Sequence, residues 1–336
     1  MRTKLAIVAL LFSATGYATS KSVDLGGLVL SVSDSPTAQI FHIVDQLSQW
    51  SIYTHKEYVR WADKTQLLDQ RDRELLQQHA EMLKKRGQGH GFEQTFLVDD
   101  SIEDAAAKGI AKQLLSPEEA NAERDILLHF APKLQPLLRQ RQADIVALEQ
   151  QLVAERARMA PLVVQLAHFA EVKDPPTVAV FLVANAEEHN GGGQANGGRL
   201  IVEVPSPDAI GVLLHESLHW LLKPQEAAIR SAAETAGLDF TALNEGIAYA
   251  LYPGISADSE QGDLLIEQLV KMQLRSTPAS DRYLQFDQIA AVIRPLLRTA
   301  LAHNETITTF LPKAAAKWRS VAPKRAPAPE GRPGER

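Results

Sequence analysis

The chain contains no cysteine. That absence excludes a disulfide framework and the acylated terminus of a lipoprotein. It also has little uninterrupted apolar length. The run Leu5–Phe12 is far short of the roughly 20 residues a membrane-spanning helix needs, and no later segment reaches that length. Charge of neither sign dominates. Against 35 Lys and Arg stand 41 Asp and Glu, a formal charge of −6. With a pI near 6.0, nothing points to nucleic acid or an anionic membrane surface as partner. Composition specifies no oligomeric state.

At the start, Met1-Arg2-Thr3-Lys4 is a basic segment, Leu5–Phe12 is apolar, and Gly16-Tyr17-Ala18 supplies small residues for cleavage. This order reads as a secretory signal over residues 1–18, with the mature chain beginning near Thr19 and exported to the periplasm or beyond. Without disulfides the remainder must rely on a hydrophobic core, and its length is ample for one.

The densest chemistry lies in His215-Glu216-Ser217-Leu218-His219. On a helix, residues four apart are separated by about 40° around the axis and roughly 6 Å along it. His215 and His219 can therefore present imidazole nitrogens to one cation, usually Zn²⁺. Glu216 is rotated by about 100° from His215, so it reaches a water beside the cation rather than the cation, as a general base must. Ser206 is placed as N-cap, Pro207 at the first helical position and Asp208 in the first turn. The helix then runs over Ala209–Leu222 until Lys223-Pro224. Around the motif it is almost wholly apolar, so it belongs in the core, where two histidines and a carboxylate need a compensating partner. A metal supplies one.

A catalytic zinc takes three protein ligands. Downstream carboxylates available for the third place are Glu226, Glu234 and Glu245. Glu226 and Glu234 lie in Gln225–Ala236, an ordinary amphipathic helix ending at Gly237. Glu245 stands with Asn244 in Leu243-Asn244-Glu245-Gly246-Ile247-Ala248-Tyr249-Ala250-Leu251, where these two are the only strongly polar residues.

His-Glu-x-x-His followed by Asn-Glu-Gly-(apolar)-Ala on a second helix resembles the gluzincin class of zinc metallopeptidases, in wording nearest its aminopeptidase-N-like branch. The resemblance covers residues 178–252. It implies that His215, His219 and Glu245 bind Zn²⁺, that Glu216 activates water, and that the substrate is a peptide or protein. It implies a zincin-like catalytic domain: a small sheet with an edge strand above the metal, the motif helix and a third-ligand helix. The spacing of 25 residues between His219 and Glu245 is longer than usual for the class, with the helix 225–236 filling it. The Gly-Ala-Met-Glu-Asn signature of the aminopeptidases is absent; Gly192-Gly193-Gln194-Ala195-Asn196 carries Ala where its Glu would stand. The class also draws an oxyanion-stabilising Tyr or His from a later helix. Tyr249 and Tyr252 belong to the ligand helix and are expected to pack. That leaves Tyr283, near the start of a helix Leu284–Ala302, and His303 at its end.

Thr177–Ala184 and Arg199–Val204 read as strands, either a plain hairpin or the edge of the sheet, joined by a flexible polar loop 185–198 in which His189 is a solvent-facing residue. Val23–Val32 reads as one strand or a hairpin arm. Helical patterns cover Ser35–Trp61 and Thr65–Arg86, and glycines break the chain over 87–91. A capping box at Ser116–Glu119 opens a helical region to Ala170, with breaks or kinks expected at Pro132, Pro136 and Pro161. Its part Leu137–Met159 suits a helical layer on the catalytic domain better than a helical hairpin or coiled coil. The Ala/Pro/Lys/Arg-rich tail 312–336 reads as disordered. The expected organisation is α+β and mostly helical: signal 1–18, helical region 19–170, zincin-like domain 171–311 and tail. The leading function is an exported zinc metallohydrolase, a peptidase by resemblance. The alternative is a non-catalytic exported protein whose helical region binds a partner and whose zinc site is structural or relict. An intact acid at 216 distinguishes them, since a structural site has no use for it.

Overall fold

The computed structural model describes residues 20–51, 54–87, 90–174, 177–187, 191–196, 198–251 and 282–321. The signal expected at 1–18, His189, Tyr252 and the last residues of the tail (322–336) lie outside them. Strands β1 (Lys21–Asp24) and β2 (Val29–Ser33) form a hairpin. At its turn the Leu25 N–H donates to Leu28 O at 2.9 Å, and Gly26 and Gly27 have φ of 79° and 111°. Two successive positive torsions require glycine in practice. Asp24 Oδ1 holds the turn by accepting both glycine N–H groups, at 2.9 and 3.0 Å.

The hairpin joins β3 (Val178–Ala184), β5 (Arg199–Val204) and β4 (Gly193–Asn196) in one mixed sheet of order β1-β2-β3-β5-β4. The strands expected at 177–184 and 199–204 are present, but they pair in parallel, so the plain hairpin is not formed. The polar loop between them contains β4, which passes outside β5, pairs antiparallel with it and ends the sheet.

Helices α1 (Pro36–Ser48), α2 (Lys56–Lys64), α3 (Gln70–Arg86), α4 (His90–Phe96) and α5 (Ile102–Ala111) precede the long α6 (Pro117–Phe169). Ser116 caps α6 with the expected box: its Oγ accepts from Glu119 N–H, and Glu119 accepts from Ser116 N–H. Of the breaks or kinks expected at Pro132, Pro136 and Pro161, no break occurs; α6 is a single helix of 53 residues, about 80 Å along its path. A proline removes one helical hydrogen bond, and here the burial of Phe130, Leu134, Leu137 and Val163 on either side outweighs that loss. The long helix is neither hairpin nor coiled coil. Its first third packs with α1 and α3, its middle lies on the sheet, and its end meets the C-terminal helices.

Those helices are α7 (Ala209–Leu222), α8 (Glu226–Ala236) after a 3₁₀ turn at Lys223–Gln225, α9 (Phe240–Leu251), α10 (Arg282–Ala302) and α11 (Ile307–Val321). The tail expected to be disordered from 312 is helical as far as Val321. Phe310, Leu311, Ala314, Ala315 and Trp318 bury one face of α11, enough apolar surface to offset the ordering of a short helix. Among the described residues, no helix is long and apolar enough to cross a membrane.

Strand alternation sorts the sheet into two buried faces. Leu30, Val32, Val180, Leu182, Leu200 and Val202 face α7 and the middle of α6. Phe181, Val183 and Ile201 face the N-terminal helices. Residues on both sides of position 170 therefore build one sheet.

Candidate metal centre

The motif helix begins two residues later than its first capping signal. Asp208, not Ser206, is the N-cap of α7 and accepts from Gly211 N–H at 2.9 Å. Ser206 Oγ instead donates to Gly191 O at 3.2 Å, which ties the start of α7 to the approach to β4. From Asp208 the helix runs under β4 and β5 and against α9.

His215 and His219 present their Nε2 atoms 3.1 Å apart. Glu245 Oε2, reaching across from α9, lies 3.6 Å from the first and 3.3 Å from the second. Among the described residues this is the one cluster of three such groups able to hold a metal ion. Bonds of about 2.0–2.2 Å to a tetrahedral zinc place its ligand atoms roughly 3.3–3.6 Å apart. The three observed separations scatter around that value, so the donor set and its size both fit. Glu226 is paired with Arg230 at 2.7 Å on an exposed face of α8, and Glu234 is exposed; neither joins the cluster.

Gly246, next to the third candidate ligand, permits this arrangement. A Cβ there would lie 2.4 Å from Ile289 Cγ2, so the close contact between α9 and α10 depends on glycine. Asn244, on the other side of Glu245, lies 2.9 Å from His219 Nδ1. The Tyr249 ring stands edge-on to His215 at 5.1 Å, which agrees with its expected packing role. The side chain of Tyr283 lies outside the described residues. His303 is exposed at the end of α10 and is not among the residues lining the cleft described below.

Glu216 is buried but is not one of the three converging groups. Burial pushes its carboxyl above the ordinary value, against the pull of His219 and His215. Burial alone would also raise Glu245. The two imidazoles outweigh it and hold that carboxyl well below the usual carboxylate range. Over Glu216 lies the edge strand: a Cβ on Gly193 would sit 2.5 Å from Val212 Cγ1 and 2.9 Å from Glu216 Cγ. Only a glycine lets the strand approach the acid this closely.

The cluster opens into a cleft of about 1210 Å³. Its lining includes all three candidate ligands, Glu216, Gly191–Ala195 at the start of β4 and, from the connection between α1 and α2, Trp50, Thr54 and His55. On the sheet face away from α7, Glu203 is almost fully buried. It accepts from His42 Nε2 at 2.9 Å, from His55 Nδ1 at 3.0 Å and from Gly192 N–H at 2.8 Å. Burial alone would raise its carboxyl, and the two histidines outweigh that and hold it far down. Burial would likewise lower His55, and Glu203 outweighs it and raises the imidazole above its ordinary value. Sequence reasoning missed this group, although Glu203 carried the signal used for Glu245: one carboxylate in an otherwise apolar strand. His55 carried no local signal.

No protein-family model matches this chain, and neither a curated protein nor a solved structure does.

Proposed function

We propose that the chain is an exported zinc-dependent hydrolase of the gluzincin type, acting on peptide bonds in the cleft beside α7. The observation that carries this reading is the placement of Glu216: a buried acid one residue from a ligand, outside the triad and roofed by the strand edge. A structural metal site has no need of it. His215, His219 and Glu245 would hold the zinc, which supplies Lewis-acid polarisation of a carbonyl and a lowered pKa for water when bound.

The chain's own groups then divide the work. Among the described residues β4 is the last strand of the sheet and its residues line the cleft, where an extended peptide can join it by main-chain hydrogen bonds. The motif helix packed under β4 and β5 and against α9 supports this placement. Glu216 Oε takes the proton from the attacking water and later delivers it to the departing amine. Asn244 orients the His219 ring.

The test is elemental analysis of the purified mature protein together with hydrolysis of a broad peptide set, before and after chelation. One zinc per chain and chelator-sensitive cleavage are expected. A metal-free protein, or a zinc-loaded one inert toward every peptide, would overturn the reading.

A further inference from the structure

We propose that His55, clamped by Glu203, forms a carboxylate-selective subsite of the cleft, receiving a side-chain or C-terminal carboxylate of the substrate residue beside Gly192. The inference rests on the reading that an extended peptide lies along β4.

The argument starts from the pleat. Gly193 directs its missing Cβ at Val212 and Glu216, on the α7 face. Gly192, one residue earlier, directs its own at His55: a Cβ there would lie 2.5 Å from Cε1 and 3.2 Å from Nε2. Successive residues of a strand face opposite sides, and paired residues of neighbouring strands face the same side. The pairing of Gly193 with Val202 obeys this rule. So does the contact of Gly192 with Glu203, whose backbone N–H donates to Gly192 O at 2.9 Å. A substrate residue alongside Gly193 therefore turns its side chain toward the acid and the metal ligands. The residue alongside Gly192 turns its side chain toward His55.

The chemistry of that side follows from the clamp. Glu203, an ionised carboxylate, can only accept, so His55 must donate from Nδ1. The opposite ring nitrogen, Nε2, is left toward the cleft, which His55 lines. Held against a buried anion, the ring keeps its second proton above the ordinary pH of histidine. Nε2–H then offers a charge-assisted hydrogen bond, for which a carboxylate is the strongest complement. Arg199, another cation on this side, donates to the carbonyls of Leu97 and Gln94 at 2.8 and 3.1 Å. Asp45, which also lines the cleft, accepts from Trp50 Nε1 at 2.7 Å and repels a second carboxylate. His55 thus sets the position at which the carboxylate is accepted.

The experiment measures binding, so that it reads out whether or not the protein hydrolyses anything. Alanine hexapeptides with one Glu or one Gln at each position, with free or amidated C-termini, are titrated into the zinc-loaded Glu216→Gln protein. At one position Glu is expected to bind at least about tenfold more tightly than Gln, the scale of a hydrogen bond to a charged group. If the free C-terminus is the carboxylate selected, amidation removes the preference instead. His55→Gln and Glu203→Gln should each bring the ratio close to one while zinc content stays at one per chain. The groups acting on His55 are Glu203 on β5 and Glu57 on α2, and those packed about Glu203 in turn are His42 on α1 and Tyr58 on α2. With Glu203 ionised throughout, the preference should be greatest at acidic pH and fade as the imidazole loses its second proton, at a pH above that of an ordinary histidine. Equal binding of Glu and Gln peptides at every position by the His55-intact protein, or no binding of any peptide, overturns the inference. Selective binding without cleavage by the wild-type enzyme would overturn only the hydrolase reading.

Discussion

Asn244 and His219 meet through the carboxamide and Nδ1, 2.9 Å apart, on the far side of the imidazole from Glu245. If Nδ1–H is donated to the carboxamide oxygen, the Nε2 lone pair is fixed toward the other two candidate ligands. A half-turn of the amide supplies that oxygen. Such outer partners select the tautomer and hold the ring.

Asn244→Ala should therefore weaken zinc binding by about 10–100-fold, the usual effect of losing an outer partner of a metal-bound histidine. Competition against a chromophoric chelator measures it. Affinity equal to the wild type would show that packing alone orients His219.

Replacing Glu216 by Gln keeps the shape of the side chain and removes its basicity. The variant should fold and retain one zinc per chain, yet lose at least about a hundredfold in kcat/KM. A fully active Glu216→Gln enzyme would sink the assignment of the general base.

Gly193→Ala tests the strand edge. The new methyl would meet Val212 and Glu216 inside van der Waals distance, so β4 must lift or the acid must turn. Either shift displaces the reacting groups by a fraction of an ångström to an ångström, and a loss of up to about 100-fold in kcat/KM is expected. Zinc content should stay at one per chain. Unchanged turnover would mean that the edge strand does not position substrate.

The N-terminal helices carry a separate pH-dependent term. His79 is completely buried between Glu123, at 2.9 Å, and Asp45, at 3.8 Å. Burial alone would lower its pKa, and the two carboxylates outweigh it, raising the imidazole to about 10. A pKa raised by folding stabilises the protein fully below the unfolded value of about 6.5, and that stability is lost as pH rises through the folded value. Urea unfolding should accordingly show wild-type stability falling between about pH 6.5 and 10, by on the order of a few kcal/mol. His79→Gln should flatten the curve over that window. Parallel curves for the two proteins would remove His79 as the cause.

Much of the site was legible in the residues themselves. The run from Ala209 to Leu222 ends where Lys223-Pro224 stops it, and His215 and His219 share a face because four residues nearly complete a helical turn. Glu245 stood out as a carboxylate with no local reason to sit on an apolar helix, and it is the one that reaches the histidines. The capping box at Ser116 likewise marks the start of α6, since all its groups lie within one turn.

Other features depend on contacts distant in sequence. Three prolines argued for breaks in α6, yet buried side chains above and below them keep it one helix. A polar, glycine-rich loop gave no strand pattern, and β4 exists because β5 offers it a free edge to pair with. The last helix was hidden by a composition typical of disorder, until the core supplied a surface for Trp318 and Phe310.

Local chemistry by itself determined which residues can form helices and strands and which of them carry histidines or isolated acids. Helix periodicity, capping and turn preferences act over a few residues and leave their mark in composition. Tertiary structure alone decided that Glu203 meets His42 and His55 across more than a hundred residues of chain, that β3 and β5 run in parallel, and that a glycine strand roofs Glu216. Such pairings are settled by how whole faces bury against one another. No short stretch of sequence holds both partners.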